Sequence, residues 1–560
     1  MKHAWEDSYP KGLPWSLPIP PATPLQDALK TAASRWPQRT AIDFYDTELT
    51  FRELDDLARK AAKGLRELGI GNGAHVGLHL ENTPHFVICF FGVLYAGGSV
   101  VNFNPHAGTN EFVGQLRDSE VKILVTGDWQ SEFAATRRLL ADNSVAMVGC
   151  SLSDFLPEAA VAQLVDRALR QWSCEGAEAR FAALIANDSA LDAGIGDQIA
   201  SDTAVLQYTG GTTGAPKGAM LTHANFSAVL HMLLLFTGGD YNDRQYKILC
   251  ILPLWHVFGL TFILLRSVVT GTEMVLHLRF DAGRALSDIA RKKVTAFSGV
   301  PAMYAALVNH SRFLTEDLSS VLSWTSGGAP FPAELRAQFE QRARVDIHEG
   351  YALTETTGIA VQALTPDKLG TFCVGLPVPN TIVEIVDIET GGTLLPNGEH
   401  GEICISGPQV MKGYWRRPDE NAAAFEGGRF HTGDIGFLDA KGFLTVLDRK
   451  KDMILVGGHC VYPRNVERVL NEHPAVAEAA VVGVPSPDFG EVGHACLVLR
   501  PDHDPPQQRD FYAFLADRLS THEIPLTFEI LEKLPRTAAG KVTKTELAAA
   551  NRELAAGRAA

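Results

Sequence analysis

Along residues 40–127 the hydrophobic and polar positions switch repeatedly between a strand-like and a helix-like period. "TAIDFY" reads as a strand. "LTFRELDDLARKAAKGLREL" spaces its apolar residues as a helix does, with Thr50 placed as N-cap and Glu53 placed to close a capping box. "HVGLHL" predicts a strand and an apolar helix follows from Pro84. A strand at "SVVNFN", a helix near "NEFVGQLRD" and a strand at "VKILVTG" continue the series. Alternation of this kind predicts a largely parallel sheet covered by helices. The same texture returns between residues 247 and 361, whereas residues 150–200 are polar, Ala-rich and partly aperiodic and yield no assigned element.

After about Gly375 the pattern changes to short strands with Gly and Asn-Gly turns, as in "TIVEIVD" and "LLPNGEHGEICISG", which predicts antiparallel sheet. From about Lys451 the order is helix ("RNVERVLNEH"), strand ("AEAAVVGV"), strand ("ACLVLR"), helix ("RDFYAFLADRL") and strand ("FEILEKL"), the size of a separate small α+β domain. No internal repeat is visible.

Length and composition narrow the function classes. With 560 residues, two or more domains are expected. A net charge of -15 without a basic stripe argues against nucleic-acid binding, but not against ATP, whose phosphates need only a locally positive site. Eight cysteines lie scattered with no C-x-x-C pair, which fits a reducing cytoplasm rather than a disulfide scaffold or zinc site. The opening "MKHAWEDSYPKGLPWSLPIPPATP" has no continuous apolar stretch. It is expected to be an extended Pro-rich lead across the surface rather than a signal peptide. The charge-free run 86–101 contains Gly92, Gly97 and Gly98 and falls short of a bilayer span, so a soluble, cytoplasmic protein is expected.

The chemistry concentrates in "YTGGTTGAPKGAMLTH", residues 208–223. It is not a Walker A loop, because Lys217 is followed by Gly218 rather than by a hydroxyl residue. Yet Gly210, Gly211 and Gly214 allow close approach of backbone N–H groups, Thr209, Thr212 and Thr213 add hydroxyls, and Lys217 adds a charge. Those are the parts of a phosphate grip. A plain surface loop between two strands is the competing reading of this segment taken alone.

Six further blocks follow in order: "LPLWHVFG" (252–259), "TSGGAPF" (325–331), "GYALTET" (350–356), "HTGDIG" (431–436), "DRKKDMILVGG" (448–458) and "LPRTAAGKVTK" (534–544). With the loop they resemble the signature series of the acyl-adenylate-forming superfamily. That group includes acyl-CoA synthetases, adenylation domains of peptide synthetases and luciferases. The connecting segments "ISGPQVMKGYWRRPDE", "GFLTVLDRKKDMILV" and "VYPRNVERVL" look most like the bacterial long-chain fatty-acyl-CoA synthetases.

The resemblance implies an α/β fold: a large N-terminal domain of helix-covered sheets with a distorted β-barrel part over residues 1–447, and a small mobile α+β domain over 448–560. It implies ATP, Mg²⁺ and CoA acting on a carboxylic acid. The loop from Thr209 to Lys217 would hold the β- and γ-phosphates. Glu355, with Thr209, would serve Mg²⁺, and Thr354 would touch the α-phosphate. Gly327, Gly328 and Ala329 with Glu349, Gly350 and Tyr351 would form the adenine slot. Asp434 would accept the ribose hydroxyls, and Arg449 would add a ribose or phosphate contact. Lys541 would bridge carboxylate and α-phosphate as the catalytic cation, and His256 would sit by the acyl carboxylate. A pivot at Lys451 would bring Gly457 and Gly458 to the pantetheine arm of CoA.

Plainer readings stand beside these. Asp434 after a glycine could be a turn residue, Lys541 a solvated surface lysine, His256 a core histidine, and Phe258 and Phe262 core rather than acyl tunnel. Ala352, His459, Cys460 and Glu523 depart from the usual pattern, and the last three bear on the CoA step. The expected activity is conversion of a medium- or long-chain fatty acid to acyl-CoA through an acyl-adenylate. The alternatives are a CoA ligase for an aryl or branched acid, an acyl-AMP ligase loading a carrier protein, and a silent nucleotide- or lipid-binding module. Peripheral membrane contact and a homodimer are both compatible with the sequence.

Overall fold

A computed structural model describes residues 3–130, 136, 138–140, 145–164, 177, 179–189, 199–209, 216–237, 244–363, 372–501, 503, 505–536 and 542–558. The predicted alternation is present. Strands Thr40–Phe44, His75–His79, Ser99–Asn102 and Ile123–Gly127 alternate with helices Phe51–Glu67, Pro84–Tyr95 and Thr109–Ser119. At the first of these helices the Glu53 N–H donates to Thr50 Oγ1 at 3.2 Å and the Thr50 N–H donates to Glu53 Oε2 at 2.8 Å, the reciprocal pair that satisfies two helix-end donors. Helix Pro84–Tyr95 is apolar on every side and is buried at every residue, as an all-round hydrophobic helix must be.

Among the described residues the strands form three sheets. One of seven strands runs Ala179–Arg180, Ala146–Cys150, Ile123–Gly127, His75–His79, Ser99–Asn102, Thr203–Thr209, Lys217–Thr222, and is parallel until its final hairpin. A second, of thirteen strands, has a parallel part through Thr40–Phe44, Glu273–Leu276, Lys247–Cys250, Ala296–Gly299, Ser323–Ser326 and Ile347–Tyr351. Beyond Ile347–Tyr351 pairing turns antiparallel, through Cys373–Pro377 to the strands Ile382–Val386, Gly401–Ser406, Phe430–Leu438 and Leu444–Arg449. Antiparallel pairing begins at Val361–Gln362, so the change of pattern at about Gly375 falls shortly after parallel sheet has given way to antiparallel sheet.

The third sheet, of five strands, lies wholly within residues 454–530 and carries helices Pro463–Asn471 and Gln508–Ala516. Its core, built on Val466, Val469, Leu470, Phe511 and Leu515, is distinct from the cores of the larger sheets. Residues 150–200, left unassigned above, hold short elements such as Glu158–Leu164 and Phe181–Leu184 where they are described. They are too short for a period to register. No helix among the described residues is long and apolar enough to cross a membrane.

The Pro-rich lead is not extended throughout, because Ala4–Ser8 form a 3-10 helix, and it is anchored rather than laid across the surface. Trp5 is 3% exposed and joins the core of the antiparallel sheet. Tyr9 donates to the Pro377 carbonyl, and Trp15 Nε1 donates to the Thr381 carbonyl at 3.2 Å. Gly442, at φ +81°, lets Trp5 pass: a Cβ there would lie 2.5 Å from the Trp5 nitrogen.

Candidate active site

The functional candidates lie on strands and in the turns beside them: Asp434 within Phe430–Leu438, Tyr351 and Arg449 at strand ends, and Glu355 in a turn. Asp434 and Arg449 are paired residues of the antiparallel strands Phe430–Leu438 and Leu444–Arg449. Arg449 Nε lies 2.7 Å from Asp434 Oδ1, and the Tyr351 hydroxyl donates to Asp434 Oδ2 at 2.5 Å. Asp434 is 4% exposed. Desolvation is the largest influence on the Arg449 guanidinium and depresses it, but Asp434, Tyr351, Glu355 and Asp452 together outweigh it and hold the group above its ordinary range. Burial, with Asp434 beside it, pushes the Tyr351 phenol far up, so that it stays a donor. Asp434 is therefore a buried carboxylate held by Tyr351 and the half-exposed Arg449, within a strand and not a turn.

Tyr351 ends the strand Ile347–Tyr351, which runs parallel to Ser323–Ser326 with Ser326 opposite Glu349. The segment holding Gly327, Gly328 and Ala329 leaves that neighbouring strand, and Gly327 lies beside Gly350, whose carbonyl is 4.0 Å from an added Gly327 Cβ. The Phe331 N–H donates to Glu349 Oε1 at 3.2 Å. Arg336, which the sequence reading did not single out, pairs with Glu349 and donates to the Ile347 carbonyl at 2.8 Å. Burial raises the Glu349 carboxyl against the pull of Arg336. Gly328 and Ala329 are exposed, and Gly327 backs onto Phe258, whose ring would meet an added Cβ at 3.2 Å.

Glu355 lies in the short 3-10 turn Thr354–Thr356 and is 8% exposed. The Tyr414 hydroxyl donates to its Oε1 at 2.8 Å, and the Met411 N–H donates to its carbonyl at 2.8 Å. Lys217 Nζ sits 5.2 Å from the centroid of the same Tyr414 ring. Burial raises the Tyr414 phenol, which keeps the proton that Glu355 accepts. Tyr414 thus links two predicted site residues, and the sequence reading missed it. Its place comes from an antiparallel bridge between Ala219 and Tyr414, with the Trp415 N–H donating to the Gly218 carbonyl at 2.8 Å.

Thr209 and Lys217 are opposite each other where the hairpin Thr203–Thr209/Lys217–Thr222 opens. Gly210, Gly211, Thr212, Thr213 and Gly214 lie outside the described residues, as does Lys541. The base of the loop is thus described and its tip is not.

His256 caps the turn Val257–Gly259, its Nδ1 accepting the Phe258 N–H at 3.2 Å. A π-helical turn, Leu260–Leu265, follows directly; such turns are uncommon outside functional segments. Gln207, two residues before Thr209, donates through Nε2 to the Trp255 carbonyl at 2.9 Å, so the His256 segment is tied to the strand that leads into the loop. His256 is half-buried and Phe262 joins a small core cluster.

Lys451 follows Lys450, whose N–H donates to the Gly433 carbonyl at 2.8 Å, and it precedes the small sheet. Burial lowers its ammonium from the ordinary lysine range. Gly457 and Gly458 form the two-residue turn between strands Ile454–Val456 and His459–Val461, at φ +56° and +86°, the left-handed pair such a hairpin needs. Both are exposed. The near neighbour of a Gly457 Cβ is Phe489 of the same small domain, and a Gly458 Cβ would meet nothing within 4 Å. The turn is not packed against Asp434, Glu355 or Tyr351 in this arrangement.

Residues 29–415 match the AMP-binding enzyme family, and residues 465–541 match the AMP-binding enzyme C-terminal domain. The chain belongs to the AMP-binding enzyme family. It is 37% identical over 554 residues to a long-chain-fatty-acid–CoA ligase of Bacillus subtilis (strain 168), covering 97% of each chain. In structure it is similar to ATP-bound MatB from Rhodopseudomonas palustris, with a TM-score of 0.82 at 26% identity, covering 94% of this chain and 99% of the other. It is also similar to the O-succinylbenzoate coenzyme A synthetase of Bacillus subtilis in complex with ATP and magnesium ion. There the TM-score is 0.77 at 30% identity, with 93% and 98% covered.

Proposed function

We propose that this member of the AMP-binding enzyme family is an ATP-dependent acid–thiol ligase that converts a medium- or long-chain fatty acid to its CoA thioester, releasing AMP and diphosphate. Its relationship to the B. subtilis ligase over nearly the full length supports the choice of acid. The observation that carries the chemistry is a pair of clusters, Tyr351–Asp434–Arg449 and Lys217–Tyr414–Glu355, near enough that Glu355 acts electrostatically on the Arg449 guanidinium.

A carboxylate is a poor acyl donor because oxide is a hopeless leaving group. In the proposed first step a carboxylate oxygen attacks the α-phosphorus of ATP and diphosphate departs, giving a mixed anhydride. In the second step the CoA sulfur attacks the acyl carbon and AMP leaves. No protein nucleophile is needed; the enzyme must hold two anions together and neutralise developing charge. In this reading Asp434 accepts the ribose hydroxyls beside Tyr351 and Arg449. Gly327, Gly328, Ala329, Glu349, Gly350 and Tyr351 bound the adenine, and Thr354 touches the α-phosphate. Thr209 to Lys217 holds the outer phosphates, His256 faces the acyl carboxylate, and Lys541 supplies the cation at the reacting oxygens.

Glu355 suits Mg²⁺. It is a buried carboxylate with a neutral hydroxyl on one oxygen and, among the described residues, no lysine or arginine in an ion pair with it. Thr209 would share the ion, which when bound offsets triphosphate charge.

Acid-dependent ATP–diphosphate exchange across a panel of fatty and aryl acids tests the proposal, with CoA added afterwards. Exchange greatest with fatty acids, followed by thioester on CoA addition, is expected. Exchange confined to aryl acids would transfer the reading to an aryl-CoA ligase, and adenylate that CoA cannot discharge would point to a carrier-protein ligase. No exchange with any acid would overturn the proposal.

A further inference from the structure

The small C-terminal domain brings together three metal-capable side chains that the ligase reaction does not use. His494 and Cys496 are two residues apart on strand Gly490–Leu499, so both project from one face. Strand Thr527–Ile530 pairs parallel to it, with Thr527 opposite His494 and Glu529 opposite Cys496. One ligand atom from each of His494, Cys496 and Glu529 falls within 4.8 Å of the others. Cys496 is fully buried and His494 is 8% exposed, while the Glu529 side chain, at 37%, reaches solvent and offers a way in.

The ring of His494 is held as a metal ligand would be. Its Nδ1 lies 2.7 Å from Thr527 Oγ1, which leaves Nε2 facing Glu529 Oε2 at 3.4 Å. A ligating histidine characteristically uses its second nitrogen for such an outer contact. With the Nδ1 proton donated to Thr527, a nitrogen lone pair meets a carboxylate oxygen, a contact that a cation between them resolves. Asn551 Nδ2, 4.0 Å from Cys496 Sγ, adds a weak donor to the sulfur.

We propose that His494 Nε2, Cys496 Sγ and Glu529 form a divalent transition-metal site, of the zinc class, that clips the edge strand Thr527–Ile530 to its neighbour. A mixed N, S and O donor set with three protein ligands and a fourth position open suits Zn²⁺ rather than Mg²⁺ or Ca²⁺, which take all-oxygen ligands. Binding forms a sulfur–metal bond as the Cys496 proton passes to solvent, so occupancy should rise with pH.

The test uses the full-length protein, stripped with a chelator and titrated with ZnCl₂ and separately with CoCl₂. One equivalent of either metal per chain is expected, with a thiolate-to-cobalt charge-transfer band in the near ultraviolet. The band should vanish in C496A and persist in C460A, which removes an exposed thiol of the same domain. H494Q and E529Q, monitored for folding by circular dichroism, should each weaken binding by at least about tenfold, and T527V by a similar factor through loss of the outer contact. No saturable binding to the wild-type chain, or a band that survives C496A or depends on Cys460, would overturn the proposal.

Discussion

Tyr414 donates its hydroxyl to the buried Glu355 carboxylate. Replacing Tyr414 by Phe leaves the ring over which Lys217 sits but removes the donor. A hydrogen bond to a charged group contributes about 1.5–3 kcal/mol, so Tyr414→Phe is expected to lower acid-dependent diphosphate exchange roughly ten- to hundredfold. Titrating Mg²⁺ in the exchange assay would show a raised requirement; an unchanged profile would remove Glu355 from the metal's surroundings. Asp434→Asn removes the carboxylate that pairs with the half-exposed Arg449 guanidinium. It should raise the apparent ATP KM at least about tenfold and lower stability by no more than about 1 kcal/mol, as the loss of a partly exposed ion pair does, read by urea unfolding and nucleotide titration. Asp434, Tyr351 and Glu355 were legible because each stands inside a short motif whose residues stay neighbours after folding. Tyr414 and Arg336 were not. Tyr414 meets Glu355 only once the strand from Lys217 has bridged to the segment around it, a pairing no local pattern encodes.

At the scale of elements, local rules carried furthest where one element satisfies its own ends. The helix Phe51–Glu67 begins at its predicted cap, and Thr50→Ala should cost about 1 kcal/mol, seen as faster amide exchange through its first turns with little change elsewhere. The period-two runs likewise became strands, because each buries a face against helices of the same domain. The N-terminal lead behaved differently. Its prolines and scattered aromatics predict an extended surface segment, yet Trp5 is buried against residues that lie more than three hundred positions onward, such as Val361 and Leu444. Gly442 makes room for it, so Gly442→Val should displace Trp5, cost about 1–3 kcal/mol as overpacking does, and open the first twenty or so residues to limited proteolysis. Cleavage no faster than in the wild type would mean that the lead is held by Tyr9 and Trp15 instead.

Over the whole molecule the small domain meets the large one around Arg464 and Tyr462. Arg464 Nη1 donates to the Val446 carbonyl at 3.1 Å, its guanidinium lies 4.7 Å from the centroid of the Phe372 ring, and the Tyr462 ring meets that of His400. Farther in, Lys544 pairs with Glu467 at 2.7 Å, inside the small domain. The Gly457–Gly458 turn faces outward, so the account of the CoA step requires a rotation about Lys451 to bring it to the acyl-adenylate. The family motifs made the two half-reactions legible. The orientation of the domains was not, because it depends on which of a few weak interdomain contacts prevails. The central claim is a division of labour: one ammonium drives adenylation, and a different face of the same domain serves thioester formation. Comparing wild type with Lys541→Ala in the separate half-reactions tests it directly. The variant should lose diphosphate exchange by at least about a hundredfold, yet convert synthetic acyl-AMP and CoA to acyl-CoA at close to the wild-type rate. Equal loss in both half-reactions, or exchange that survives the substitution, would contradict it.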